Sequence, residues 1–233
     1  MSGNWLILEN SGRVARVGLA RGGAVVRRAE LDTARRHARE LVPTFDGMLR
    51  AEGLAPRDLT GVIAGRGPGS YTGLRVGLST AKALAYALGC ELRAIDTFAA
   101  VAEQAPAECN SVWVVADALQ EQVYVRRFDR TAAAWVPFQE LRILGVGEWL
   151  KELPKGAWVS GPGVAVYDSR IPQDCQRVSE ADREARVESA LAVGLRAAPL
   201  TREELFALEP LYLRGSSAEE KAKSATGTSE RHP

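Results

Sequence analysis

Histidine is nearly missing from this chain, whose 233 residues include two, His37 and His232. His37 stands beside Arg35, Arg36 and Arg39 on an expected helix surface, and His232 lies in the last few residues. No histidine-based metal centre can therefore be assembled within one copy. Cysteine is scarce too. Cys90, Cys109 and Cys175 are odd in number and far apart, without paired metal-ligand spacing, which fits buried thiols in a reducing compartment better than a disulfide frame. An excess of one charge sign is also absent: 30 Lys and Arg face 29 Asp and Glu, for a formal net charge of +1. No global field draws the molecule to nucleic acid or an acidic membrane, so any nucleic-acid contact needs a local patch. There is no apolar run long enough to span a bilayer and no basic-then-apolar leader, which makes the cytoplasm the expected location and excludes a membrane partner.

What is present is a hydrophobic content of 46%, enough for a proper core in one large domain or two small ones. Residues 5–8, 14–19 and 24–30 read as strands joined by the turns Asn10-Ser11-Gly12 and Arg21-Gly22-Gly23, a meander. Asp32 or Thr33 can cap a helix with apolar positions Ala34, Ala38, Leu41, Phe45, Met48 and Leu49, which stops at Gly53 and contains Pro43; a proline there deletes a backbone hydrogen bond and is expected to kink it. A strand at 60–64, a helix carrying Leu74, Leu78, Ala81, Ala85 and Leu88 up to Gly89, a strand at 91–95 and a helix from about Thr97 complete a first half at 1–108. The second half, 109–214, reads as strands at 112–116, 122–128, 135–144 and 157–160 with helices at 146–153 and 181–197. Residues 215–233 are small, charged and polar without apolar period, and are expected to be a disordered tail.

The run Gly65-Arg66-Gly67-Pro68-Gly69-Ser70-Tyr71-Thr72-Gly73-Leu74-Arg75-Val76-Gly77 joins an apolar strand to a long helix rich in small residues. Two readings are open: an anion cradle with its amides turned to a phosphate, or a tight strand-to-helix connection and nothing more. It lacks the Gly-Lys-Ser/Thr ending of a Walker loop, and Gly67-Pro68-Gly69 is not the dinucleotide fingerprint. Ser70 and Thr72 have no histidine near them in sequence to act as a base.

From Gly61 to Ala102 the chain resembles the TsaB (YeaZ) family. The resemblance continues at Asp117-Ala118 with Val123-Tyr124, at Gly161 to Tyr167 and at Glu209-Pro210-Leu211-Tyr212-Leu213-Arg214, so it spans nearly the whole chain. It implies a two-lobed actin-like α/β fold (ASKHA, ribonuclease H-like) with mixed sheets flanked by helices. The implied role is that of a non-catalytic dimerisation subunit of the tRNA threonylcarbamoyladenosine transferase complex. The implied partners are TsaD as heterodimer, the TsaE ATPase, and tRNA through the complex, with the chain alone either a monomer or a homodimer. No cofactor is expected on the isolated chain, with a nucleotide (ATP or ADP) at the complex interface. Two alternatives stay open, a stand-alone nucleotide-hydrolysing or peptidase-like enzyme of the same superfamily and a regulatory homodimer.

The resemblance also assigns residues. The glycine signature comprises Gly65, Arg66, Gly67, Pro68, Gly69, Ser70, Thr72, Gly73 and Arg75. The partner interface falls on two helices, with His37, Leu41 and Phe45 on the first and Leu74, Leu78, Ala81 and Ala85 on the second; a helix packed in the chain's own core is the competing reading. Where the catalytic paralogue TsaD carries a His-x-x-x-His metal pair, this chain has Thr97 and Val101, neither of which ligates a metal. Other departures from the family pattern are Glu9-Asn10 in place of Asp-Thr after the first strand, Leu119 in place of arginine and Gln122 in place of glutamate. Glu9 reads either as a magnesium-phosphate carboxylate or as a surface turn acid.

Overall fold

The computed structural model describes residues 3–32 and 37–211. The expected tail at 215–233 with His232, the cap at Thr33, the residues Tyr212, Leu213 and Arg214, and the side chain of His37 lie outside the described residues.

Strands β1 (Asn4–Glu9), β2 (Val14–Arg21) and β3 (Ala24–Asp32) form the antiparallel meander. Helix α1 (His37–Ala51) leads to β4 (Gly61–Gly65), which pairs parallel to β1. Helix α2 (Tyr71–Leu88) begins where Ser70 Oγ accepts the Gly73 N–H and ends at Gly89 in the left-handed conformation at φ 63°, a start and stop written in the sequence. Strand β5 (Glu91–Ile95), parallel to β4, and helix α3 (Thr97–Ala102) follow. The second sheet is built from β6 (Ser111–Asp117), β7 (Gln122–Arg130), β8 (Trp135–Pro137), β9 (Arg142–Gly145), β10 (Trp158–Ser160) and β11 (Gln176–Arg177). Its helices are α4 (Val146–Glu152), α5 (Gly163–Tyr167), α6 (Val187–Arg196) and α7 (Arg202–Ala207).

The two sheets share one plan. The first has the order β3-β2-β1-β4-β5 and the second β8-β7-β6-β10-β11, with β9 added beside β7. In each, two antiparallel pairings are followed by two parallel ones. That repeated order is the actin-like α/β arrangement. The end of β1 therefore corresponds to the end of β6, and the glycine run after β4 to Gly161-Pro162-Gly163 after β10.

Alternation along the strands divides the core. Leu6, Leu8, Val17, Leu19, Val62 and Ala64 face α1 and α2, whereas Trp5, Ile7 and Ile63 face the other way. In the second sheet Val112, Val114 and Ala116 join Trp5, Ile7 and Ile63 in one cluster, while Trp113 and Val115 face α4 and α5. The middle layer is made by exchange: α3, which follows the first sheet in sequence, packs on β6, β7 and β8, and α6, which follows the second, packs on all five strands of the first. A Cβ on Gly194 of α6 would come within 2.6 Å of Ile63, and one on Gly18 within 3.2 Å of Val187, so both glycines let α6 lie close on the sheet. A division at residues 108/109 separates the sheets but cuts through a common core.

Several expected elements differ. The long strand at 135–144 is two, β8 and β9, which both pair with β7 and are parted beyond Pro137, a residue without a ladder donor. The helix expected at 181–197 is a 3-10 turn at Glu180–Asp182 followed by α6, with Arg186 extended at φ −93° and ψ 161°. Helix α1 continues through Pro43, which faces solvent. Cys109 and Cys175 are buried free thiols and Cys90 is half-buried; burial pushes the Cys109 thiol up to about 11.

Candidate functional site

The glycine run wraps the turn after β1. A Cβ on Gly65 would strike the Glu9 carboxylate, one on Gly69 the backbone of Ser11, and one on Gly73 the carbonyl oxygen of Asn10. On Gly77 it would lie 3.0 Å from Asn10 Cβ. Four glycines at four-residue spacing, from the end of β4 into the second turn of α2, thus give way to the consecutive residues Glu9, Asn10 and Ser11. The Ser70 N–H donates to the Ser11 carbonyl at 2.7 Å, closing the wrap. The space beside these glycines is thus taken by the chain's own turn, as a tight strand-to-helix connection requires. The remaining signature residues hold the connection in place: the Arg66 N–H donates to Ile95 O at 2.9 Å, and Gly67 O accepts the Thr97 N–H at 3.0 Å. Arg75 lies 4.5 Å from the centre of the Tyr71 ring, and Thr72 is exposed.

Glu9 is not a surface acid: it is 2% exposed. Its Oε1 accepts the Ser11 N–H at 2.9 Å and its Oε2 accepts the Thr97 hydroxyl at 3.1 Å. Burial raises its pKa, and the bonds from Ser11 and Thr97 and the charge of Arg16 offset this in part. Arg16 itself is bound to Glu184 at 2.6 Å and Glu30 at 3.1 Å. These groups line a cavity of about 40 Å³ between the lobes, whose walls include Thr97, Phe98 and Val101 of α3, Pro68 and Gly69, and Ala116 and Pro162 from the second lobe. Its size suits a few waters. Thr97 and Val101 thus share one wall, as helix spacing requires, and present a hydroxyl already bonded to Glu9 and an isopropyl group. Among the described residues no group of three or more His, Cys, Asp or Glu is arranged to hold a metal ion.

The counterpart of Glu9 in the second lobe is Asp117 at the end of β6. Its Oδ1 accepts the Tyr167 hydroxyl at 2.7 Å and the Leu119 N–H at 2.9 Å. Burial and the Asp117 partner push the Tyr167 phenol up to about 12, so it stays a donor. Leu119, Gln120 and Glu121 all have positive φ, at 63°, 52° and 58°, a left-handed tip unusual for residues other than glycine. Sequence reasoning did not link Asp117 to Tyr167 or Asn10 to the glycines; the four-residue spacing of Gly65, Gly69, Gly73 and Gly77 was the available signal.

The expected interface residues need correction. Leu41 and Phe45 of α1 and Leu74, Leu78, Ala81 and Ala85 of α2 are each no more than 3% exposed. Leu41, Phe45, Leu78, Ala81 and Ala85 belong to the cluster under the first sheet. Their apolar period points them at the sheet, so they cannot meet a partner; the side chain of His37 lies outside the described residues. The outer face of α2 is instead Thr72, Arg75, Ser79, Ala83, Tyr86 and Ala87, and that of α1 includes Arg39, Val42, Pro43, Gly47 and Arg50.

The profile of the family described as TsaD, tRNA N6-adenosine threonylcarbamoyltransferase, matches residues 30–219. The tRNA threonylcarbamoyladenosine biosynthesis protein TsaB of Bacillus subtilis is 25% identical over 169 residues, 71% of this chain and 74% of that protein. Its namesake in Escherichia coli is 28% identical over 127 residues, 54% of each chain. The matched stretch is thus about half the length of that second relative. Among solved structures, YeaZ from Pseudomonas aeruginosa superposes with a TM-score of 0.76 at 23% identity, over 91% of this chain and 100% of that one, a likeness of fold.

Proposed function

We infer the function from a membership that the match over residues 30–219 makes plain: this chain belongs to the TsaD family, on its TsaB (YeaZ) branch. We propose that it is the non-catalytic dimerisation and scaffold subunit of a tRNA threonylcarbamoyladenosine transferase complex. It supports a TsaD-type partner in modifying the adenosine beside the anticodon, with a TsaE-type ATPase as third member and tRNA bound through the complex. The observation that carries this reading is the wall of the inter-lobe cavity, where Thr97 and Val101 stand at the positions that the resemblance gives to a metal-binding histidine pair.

The packing is in keeping with that role. An actin-like enzyme that closes on its substrate needs lobes able to move apart. Here α3 and α6 are exchanged between the sheets and one hydrophobic cluster runs from Trp5 and Ile63 to Val112 and Phe128, which favours a rigid body. The Asp96–Arg126 ion pair at 2.6 Å, largely buried on both sides, adds a polar tie between the first half and β7. A nucleotide bound to the complex would lie between this subunit and its partner.

Mixing the chain with its cognate TsaD-type protein tests the reading. A heterodimer by size-exclusion chromatography with light scattering is expected, with threonylcarbamoyladenosine formed in tRNA only when the partner is present. Modification by the chain alone, or failure to pair, would overturn it.

A further inference from the structure

Among the described residues the chain passes between the two sheets twice. The first crossover runs from α3 through residues 103–110 to β6, and the second from β11 through residues 178–186 to α6. In a two-lobed molecule joined in this way, the lobes swing by changes of φ and ψ in those connections. Here one side chain holds both. Gln104 Nε2 donates to the carbonyl of Asp182 at 2.8 Å and to that of Glu184 at 2.9 Å, and its Oε1 accepts the Arg186 N–H and Nε–H, each at 3.0 Å. We propose that Gln104 is a clasp on the hinge of this fold, binding the two crossovers into one unit and holding the lobes in a single arrangement. Its use to a partner rests on the scaffold reading above; its action on the lobes does not.

The chemistry of the place calls for an amide. Two carbonyls on one side need donors, and the N–H groups of Arg186 on the other need an acceptor; a primary amide carries both on one planar group. The same demand fixes which way the amide faces. The Ser189 hydroxyl, 3.1 Å from Oε1, adds a contact from within α6. Gln104 is half-buried, so these bonds are partly sheltered from competing water. Without them the Asp182 and Glu184 carbonyls, which lie outside α6, would have to find other donors.

Each crossover is in turn pinned to a different lobe. Arg130 of β7 donates from Nε to Cys109 O at 2.8 Å, and from Nη2 to Ala105 O at 3.0 Å and Pro106 O at 2.7 Å, which fixes the first crossover to the second sheet. Glu184 binds Arg16 of β2 at 2.6 Å, which fixes the second crossover to the first sheet. Glu103, at the end of α3, pairs with Arg196 in the last turn of α6. Gln104 therefore joins a segment held by one lobe to a segment held by the other. A glutamine that merely satisfied a loop would shape residues 180–186 and leave the arrangement of the lobes unaltered, and the two roles differ in what can be measured.

The test uses the full chain with Cys90→Ala, which removes the one thiol that is not buried, and spin labels on Arg57→Cys and Lys155→Cys, exposed positions in the first and second lobes. Double electron–electron resonance reads the distance between the lobes. The parent should give one narrow distribution, and Gln104→Leu, of similar size but without the amide, a broader one. Hydrogen exchange should quicken roughly tenfold or more over residues 103–110 and 178–186 with the strand interiors unmoved. Gln104→Glu keeps the acceptor for Arg186 but loses the donors to both carbonyls, and should fall between the two. If Gln104→Leu folds with the parent's distribution, the clasp is overturned, even where exchange in the loops has quickened. If Gln104→Leu does not fold, Gln104→Glu decides by the same measure, and unfolding of both would overturn the clasp by assigning Gln104 to the core. Failure of the parent to pair with a TsaD-type protein would sink the scaffold reading and leave these distances untouched.

Discussion

The backbone carbonyl oxygen of Asn10 occupies the place a side chain on Gly73 would need. A helix residue and a turn residue far apart in sequence are therefore mutually exclusive in volume, and the glycine signature is first of all the negative shape of the turn after β1. The Asn10 side chain is buried there with neither amide atom bonded to protein, a site suited to an internal water.

Gly73→Ala should destabilise the chain by about 2 kcal/mol or more, because the obstacle is backbone and cannot rotate away. Gly47→Ala in α1 is the control. Nothing lies within 4 Å of its added carbon, so it should be neutral or stabilise by about 0.5–1 kcal/mol. Urea unfolding of both reads the difference; equal stabilities would mean that the wrap around Glu9, Asn10 and Ser11 yields freely.

Glu9 makes stability depend on pH in a direction opposite to that of most carboxylates. Its folded-state pKa is raised above the ordinary 4.5 by burial, so the folded chain holds the proton more tightly than the unfolded one. The associated stability is full below about 4.5 and is lost as pH rises through the folded value. Glu9→Gln keeps the shape and an acceptor for the Ser11 N–H, and should melt a few degrees above the parent at pH 8 but not at pH 4. A parent and variant that differ equally at both pH values would show that Glu9 does not titrate in this way.

Leu78→Asp and Ala81→Glu should unfold the isolated chain, since both positions are no more than 3% exposed beneath the first sheet. A carboxylate there has no partner and costs several kcal/mol. Ala83→Glu, one helical face away and exposed, should leave the circular dichroism melt nearly unchanged. A folded Leu78→Asp chain would return that face to the surface.

Much of the architecture was legible because periodicity and punctuation agreed. Ser70 and Gly89 bracket α2, and Leu74, Leu78, Ala81 and Ala85 trace its inner face. The same regularity misled about the interface, since an apolar stripe states only that something covers it. The first sheet and α1 do so here, and the outer face, with Tyr86, has no period to notice. The stretch 181–186 read as helix because its small and charged residues carry high helix propensity, whereas Glu184 is drawn out to Arg16 and Gln104 binds the Asp182 and Glu184 carbonyls. Those contacts join residues about eighty or more positions apart and leave no local trace. Asp117 with Tyr167 was hidden for the same reason.

The exchange of α3 and α6 also sets a timetable for synthesis on the ribosome. When residue 108 has been made, Trp5, Ile7 and Ile63 have a complete sheet around them but no cover on one side, because the helix that buries them, residues 187–196, has not been translated. The first lobe must wait with that face bare, or shielded by a chaperone, until nearly the whole chain has emerged. Burial of that face of the first sheet thus comes only after residue 196 has emerged.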